Sequence, residues 1–184
     1  MRKLCVLEYV TLDGVMEAPE RWQFPYLSDD VQDEIRTNLD AMAALLLGRV
    51  TYEIFAAHWP LRTHNEFGVA DKMNSVPKFV VSTTLERAAW NNSTLLRGNV
   101  LDEITALKQQ IGGTIGVIGS AALARSLMQA DLIDEYQLLV HPVTDDHRMH
   151  QKLILVDQIS LHQRPGERRA ADCRRPEIRR CKSI

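Results

Sequence analysis

Three short polar runs carry the residue types from which a phosphate site can be built. Gly48-Arg49-Val50-Thr51-Tyr52-Glu53 stands where an apolar run gives way to a helical pattern. A helix start presents unpaired N–H groups and the positive end of the helix dipole, and Arg49 adds a two-pronged anion donor. Thr51 can cap that helix. The bland alternative is a well-capped helix with a surface arginine. Ser82-Thr83-Thr84 follows a second apolar run, and its hydroxyls suit a ribose, a phosphate or a plain turn. Gly119-Ser120-Ala121 closes a third run, in the spacing Gly113-x-x-Gly116-x-x-Gly119. These glycines either let a ligand approach the backbone or only make tight turns. The spacing differs from the dinucleotide fingerprint G-x-G-x-x-G. In open α/β sheets ligands sit beyond the carboxyl ends of strands, and all three runs occupy such ends.

A second group is acidic. Asp13, Glu17, Asp29 and Asp30 flank a stretch rich in rings, with Trp22, Phe24 and Tyr26. A carboxylate against such rings is desolvated and its pKa rises, which suits proton donation or binding of a protonated heterocycle. The structural alternative has Asp13 making a turn and Asp29 or Asp30 capping a helix. His58, His64 and His141 have no ligand spacing between them, and neither a paired metal motif nor G-x-S-x-G occurs. No metal site is expected.

The elements that must position these residues alternate. Strands are expected near residues 3–11, 43–47, 78–82, 94–96, 114–118 and 135–140. Leu12-Asp13-Gly14 reads as the exit turn of the first. Val31, Ile35 and Leu39 space a buried stripe on a helix over 30–39 that Ser28 or Asp29 can cap. A helix from Thr51 to about Ala57 stops at His58-Trp59-Pro60, and a short helix is possible within 61–76. Trp90-Asn91-Asn92 is a turn. Asn99 can cap a helix whose buried side is Leu101, Ile104, Leu107 and Ile111. Ser120 can cap the next, with Ala121, Ala124 and Met128 on one face and Leu123 and Leu127 beside them. Alternating strands and helices give one α/β sheet.

With 184 residues, 45% hydrophobic and a net charge of −2, the chain has enough material for a substantial core and no reason to seek nucleic acid or a membrane surface. No apolar run approaches the roughly 20 residues of a spanning helix. Glu8 and Asp13 interrupt the N-terminus too early for a signal peptide. Cys5, Cys173 and Cys181 are odd in number and lack metal-type spacing, which fits a reducing, cytoplasmic setting. Asn91-Asn92-Ser93 matches a glycosylation pattern by chance. Lys152–Leu161 can hold one more strand. From Arg164 the chain carries eight Lys/Arg against three Asp/Glu and shows no periodicity, so a solvated, poorly packed tail is expected.

Taken in order, TLDGVMEAP, LLLGRVTYEIFAAHWP, KFVVSTTL, WNNS and GGTIGVIGSAALARSLMQADLIDEYQLLVHPV resemble the dihydrofolate reductase-like family that includes the riboflavin-biosynthesis reductase domain. The likeness covers roughly residues 3–143 and is nearest to stand-alone bacterial members. It implies a three-layer α/β/α fold with a mostly parallel central sheet, a reductase domain over 1–161, NADPH as hydride donor, a small heterocyclic substrate and often a homodimer. By position it implies Gly48, Arg49 and Thr51 at the cofactor phosphates, Ser82 and Thr83 near the adenosine 2′-phosphate, and Gly119, Ser120 and Ala121 under the pyrophosphate. Asp13 and the loop through Trp22 would line the nicotinamide and substrate. The acid that dihydrofolate reductases use on the pterin falls near Ser28–Asp30, so Asp29 and Asp30 join Asp13 as candidate catalytic acids. The chain departs from the family after Val143, where TDDHRMHQ lacks the usual glycines, and over 162–184, where the Arg-rich tail replaces a closing apolar strand. A nucleotide-binding protein on the same fold, without competent chemistry, is the alternative.

Overall fold

The computed structural model describes residues 1–144 and 158–162. The chain runs β1 (Leu4–Thr11), α1 (Asp29–Ala41), β2 (Met42–Gly48), α2 (Arg49–His58), α3 (Ala70–Ser75), β3 (Lys78–Val81), β4 (Ser93–Leu96), α4 (Val100–Gln109), β5 (Thr114–Ile118), α5 (Ala121–Gln129), β6 (Glu135–His141) and β7 (Gln158–His162). The strands form one sheet in the order β4-β3-β2-β5-β1-β6-β7. The first six are mutually parallel, and β7 runs antiparallel to β6. All six strands read from alternation are present. The strand anticipated within 152–161 occurs as β7; residues 152–157 and the tail from Arg164 lie outside the described residues.

Parallel strands are covered on both faces, so they read as nearly continuous apolar runs. In β1, Leu4 and Val6 face a layer with Ile104 and Leu107 of α4 and Leu123 and Leu127 of α5. Leu7 faces the other layer, with Val31 and Leu39 of α1, Tyr52 of α2 and Met73 of α3. Each buried aliphatic side chain contributes about 1.5–3 kcal/mol relative to exposure, so the central strands anchor both layers. Gly116, inside β5, leaves the space that the Met42 side chain fills. That glycine serves packing, not a ligand.

Several local expectations differ from what is seen. Helix α2 begins at Arg49, with Gly48 in the capping position, so Thr51 lies inside the first turn and caps nothing. Ser28, Asn99 and Ser120 occupy helix-capping positions, but none makes a side-chain cap. Asn99 instead donates to the Asp102 carboxylate, and Ser120 is engaged elsewhere. The buried side of α4 is Ile104, Leu107 and Lys108, while Leu101 and Ile111 are exposed. The helix ends before Ile111, and Lys108 is tied down by Asp134 at 2.7 Å. On α5, Leu123 and Leu127 are the buried pair and Met128 faces solvent.

Candidate functional site

Helices α2 and α5 leave adjacent strands in opposite directions. From β2 the chain passes through α2, on the α1 side of the sheet, to β3 on one flank. From β5 it passes through α5, on the α4 side, over β1 to β6 on the other flank. Since β2 and β5 are hydrogen-bonded neighbours, their exits diverge and open a crevice at their carboxyl ends. This is the topological switch point at which open α/β sheets bind ligands.

Gly48 and Gly119 stand at the two lips of that crevice. Gly119 and Ser120 both adopt left-handed backbone, with φ of 58° and 63°. Glycine adopts this freely, whereas a serine there costs roughly 1–2 kcal/mol. The strain is offset by a bolt across the crevice. The Gly48 N–H donates to Ser120 Oγ at 2.9 Å, and that hydroxyl donates to Thr51 Oγ1 at 3.0 Å. One side chain thus ties the first turn of α2 to the start of α5. No side chain caps either helix, so the first-turn N–H groups of α2 and α5 are left without side-chain partners on both sides of that bolt. A side chain at Gly48 would press on Ser120 Oγ at 3.3 Å. The residues present therefore fit a bound phosphate: two uncapped helix starts tied side by side, with a glycine at the end of each strand.

The remaining candidates are spread along the same edge. Arg49 is half-exposed and paired with Glu53 at 2.8 Å on the surface of α2. Ser82, at the end of β3, is buried, and its Oγ accepts from the Thr84 and Leu85 N–H groups, so it builds the turn; Thr83 is exposed. Ala121 is the first residue of α5. Asp13 sits in the turn after β1 and accepts from Thr11 Oγ1 at 2.5 Å. Asp29 and Asp30 are exposed in the first turn of α1.

Trp22 is buried and belongs to a cluster of rings that spacing did not reveal. It packs edge-on against His141 at 5.1 Å between centroids, with Tyr9 at 5.6 Å and Tyr26 at 6.3 Å on the same imidazole. The His141 side chain is fully buried at the end of β6, its Nδ1 is 3.0 Å from the Leu139 carbonyl, and its Nε2 has no partner. Burial depresses its pKa, so the ring is neutral. The loop after β1 is thus ordered by packing its rings on β1 and β6.

Glu8 is the acid that residue-by-residue reading missed. It lies in the central strand at 5% exposure, and its Oε1 is inaccessible and without a hydrogen bond. Burial pushes its pKa up to about 8. The signal was available: LCVLEYVT is apolar except for one acid, and a central parallel strand buries both faces.

A cavity of about 160 Å³ opens at the amino ends of the strands, between Cys5, Met42, Thr114 and Gln137. None of the candidate residues lines it, and burial pushes the Cys5 thiol up to about 12, far from a nucleophile's range. Among the described residues, no group of three His, Cys, Asp or Glu side chains could hold a metal ion, and no helix is long and apolar enough to cross a membrane.

Comparison with known proteins agrees with this architecture. A family model described as the RibD C-terminal domain matches residues 2–144. The uncharacterized protein YyaP of Bacillus subtilis (strain 168) is 27% identical over 139 residues, spanning 73% of this chain and 71% of the relative. Among solved structures, a protein from Shewanella sp. PV-4 named for riboflavin biosynthesis superposes with a TM-score of 0.61 at 19% identity, covering 80% of this chain and 81% of that one. The dihydrofolate reductase of Enterococcus faecalis, complexed with NADP(H) and RAB-propyl, gives 0.50 at 16% identity over 75% and 70% of the two chains. Schistosoma mansoni dihydrofolate reductase gives 0.51 at 16% identity over 83% and 81%.

Proposed function

Because this chain is a member of the RibD C-terminal domain family, we propose that it is an NADPH-dependent reductase of a small pterin-, pyrimidine- or flavin-related heterocycle, of the 5-amino-6-(5-phosphoribosylamino)uracil reductase type. The observation that carries the reading lies at the carboxyl ends of β2 and β5, where Ser120 ties together two uncapped helix starts. In this reading Thr51, Gly119, Ser120 and Ala121 hold the pyrophosphate through backbone N–H groups, and Gly48, whose own N–H is taken by Ser120 Oγ, lets it come close to the start of α2. Arg49 exchanges Glu53 for a phosphate, and Ser82 and Thr83 place the 2′-phosphate at the end of β3. Bound there, the cofactor supplies a hydride. Asp13 and the Trp22 loop close the substrate side, and the loop's rings exclude water from the reacting atoms. The protein acts in the cytoplasm as a homodimer.

A 2′-phosphate rewards Arg and hydroxyl donors, so NADPH is preferred over NADH. Titration of both cofactors tests the preference, and equal affinities would remove it. Decay of reduced-nicotinamide absorbance with a panel of pterins, aminopyrimidines and flavins tests the reaction. One observation favours the second reading, a nucleotide binder without chemistry: Asp29 and Asp30 are exposed and Asp13 is held in a turn, so none of the three is desolvated. Cofactor binding with no turnover of any heterocycle would select it.

A further inference from the structure

Most buried ionisable side chains here have their partners. Lys78 donates to the Asn74, Val76 and Asn91 carbonyls and lies 4.2 Å from the Trp90 ring centroid. Lys108 pairs with Asp134 and the Leu132 carbonyl. Glu8 has none. With Oε1 shut from water and no donor to it, an ionised carboxyl here is costly, and a protonated one without an acceptor is an unused donor.

Its position says what that donor is for. Leu7 of β1 is level with Ile118 of β5, so Glu8 stands level with Gly119, beside the phosphate crevice. Glu8 shares its face of β1 with Val6, on the side that α5 covers. Along the carboxyl edge the neighbours run β3, β2, β5, β1. A dinucleotide with its 2′-phosphate end at β3 and its pyrophosphate between β2 and β5 brings its nicotinamide end over β1. Strands are about 4.8 Å apart, so Glu8 is one strand beyond the pyrophosphate.

We propose that Glu8 faces the nicotinamide end of the bound cofactor, protonated against the reduced ring and ionised against the oxidised one. The inference rests on the cofactor reading above. The reduced ring is neutral and the oxidised ring is a cation, so an adjacent carboxyl distinguishes them by its own charge. Glu8 gives up its proton as the ring beside it becomes cationic. That proton matches in number the one the reduced substrate takes up, and Glu8 recovers one from water when the oxidised cofactor leaves. A carboxyl pushed up to about 8 by burial has room to fall.

Few other groups compete. On β1 the nearest is Tyr9, on the opposite face, whose phenol is pushed up to about 12 by burial and by Glu8. β6 brings the Tyr136 phenol, raised by burial and by Asp131 from the turn after α5. β5 brings no titratable side chain, and the one on α5, Arg125, is exposed.

The test measures dissociation constants of NADP+ and NADPH from pH 6 to 8, for the parent, Glu8→Gln and Glu8→Asp. Taking the ratio of the two constants cancels the 2′-phosphate and every group blind to ring charge. In the parent, NADP+ should tighten relative to NADPH as pH rises, by up to about tenfold per unit, because its binding expels a proton. Glu8→Asp should keep that slope, and Glu8→Gln should flatten it while binding NADPH within about threefold of the parent, roughly the tolerance of a neutral isostere. A flat ratio in the parent, or an unchanged slope in a folded Glu8→Gln, overturns the Glu8 assignment and leaves the cofactor reading intact. If the parent binds neither form, the cofactor reading falls and takes this inference with it.

Discussion

Arg49 and Glu8 are two ionisable residues in opposite surroundings, one exposed at a helix start and one buried within β1. Arg49 rests in an exposed i,i+4 pair with Glu53, an interaction of about 0.3–0.5 kcal/mol that little resists exchange for a phosphate. Arg49→Ala should therefore weaken NADPH binding by about 1.5–3 kcal/mol, roughly tenfold or more, and shift ligand-free stability by no more than about 0.5 kcal/mol. One titration and one melt decide it; unchanged affinity would leave Arg49 a surface residue. Glu8 is the opposite case, because it costs stability as a function of pH. Its folded pKa, about 8, stands above the ordinary carboxyl value of 4.5. Between those values the folded state holds a proton that the unfolded state has lost. The stabilisation is full below about pH 4.5 and declines as pH rises toward 8, by at most about 1.4 kcal/mol per unit. His141 works the other way, since its depressed pKa lets stability grow with pH below about 6.5. The difference between the parent and Glu8→Gln isolates Glu8: urea unfolding from pH 5 to 8 should show the parent losing ground steadily to the variant. Parallel curves would mean that Glu8 is solvated or paired in solution.

The crevice is a property of two elements and not of any one residue. α2 and α5 approach because Ser120 bridges them and because Gly48 leaves space for it. Ser120→Ala removes both bridging bonds and keeps the strained backbone, so it should cost about 1–2 kcal/mol and lower cofactor affinity together with stability. Gly119→Ala acts through the backbone. At φ 58° a Cβ is disfavoured by about 1 kcal/mol, and it would lie 3.3 Å from Thr51 Oγ1. Its effect on affinity should exceed its effect on the melt, because the turn's N–H groups would be re-aimed. If Gly119→Ala binds the cofactor like the parent, the turn is structural only. Gly116→Ala serves as the contrast: a Cβ there runs into Met42, so it should destabilise the fold by more than 1 kcal/mol, in the usual range of overpacking.

At the scale of the whole molecule, one sheet serves both layers and the site. The order β4-β3-β2-β5-β1-β6-β7 puts β1, the first strand in sequence, near the middle. It then lies between β5, which borders the proposed site, and β6, which carries His141 of the ring cluster. The described chain closes with β7 paired antiparallel along β6. The proposed homodimer predicts a particle of about twice 20.9 kDa in light scattering at micromolar concentration. A monomer mass that does not change with concentration would remove that part of the reading.

Much was legible along the chain because it is local. The period-two and unbroken apolar runs gave all six parallel strands, since burial on two faces leaves few alternatives for a run such as MAALLLG. Val31, Ile35 and Leu39 gave the inner stripe of α1 for the same reason. The glycines at 48 and 119 marked the turns, because left-handed or close-packed backbone favours a residue without a side chain. What only the tertiary structure decided depends on neighbours far apart in sequence. Ser120 looked like a cap, yet its hydroxyl meets Gly48, 72 residues away. Leu101 and Ile111 fitted the helical period of α4, but the helix ends too soon to carry Ile111 onto the sheet. Glu8 looked like an interruption of a leader. Its burial, its missing partner and its level with Gly119 exist only once β5 and β6 are laid against β1, because desolvation is set by what surrounds a residue in space.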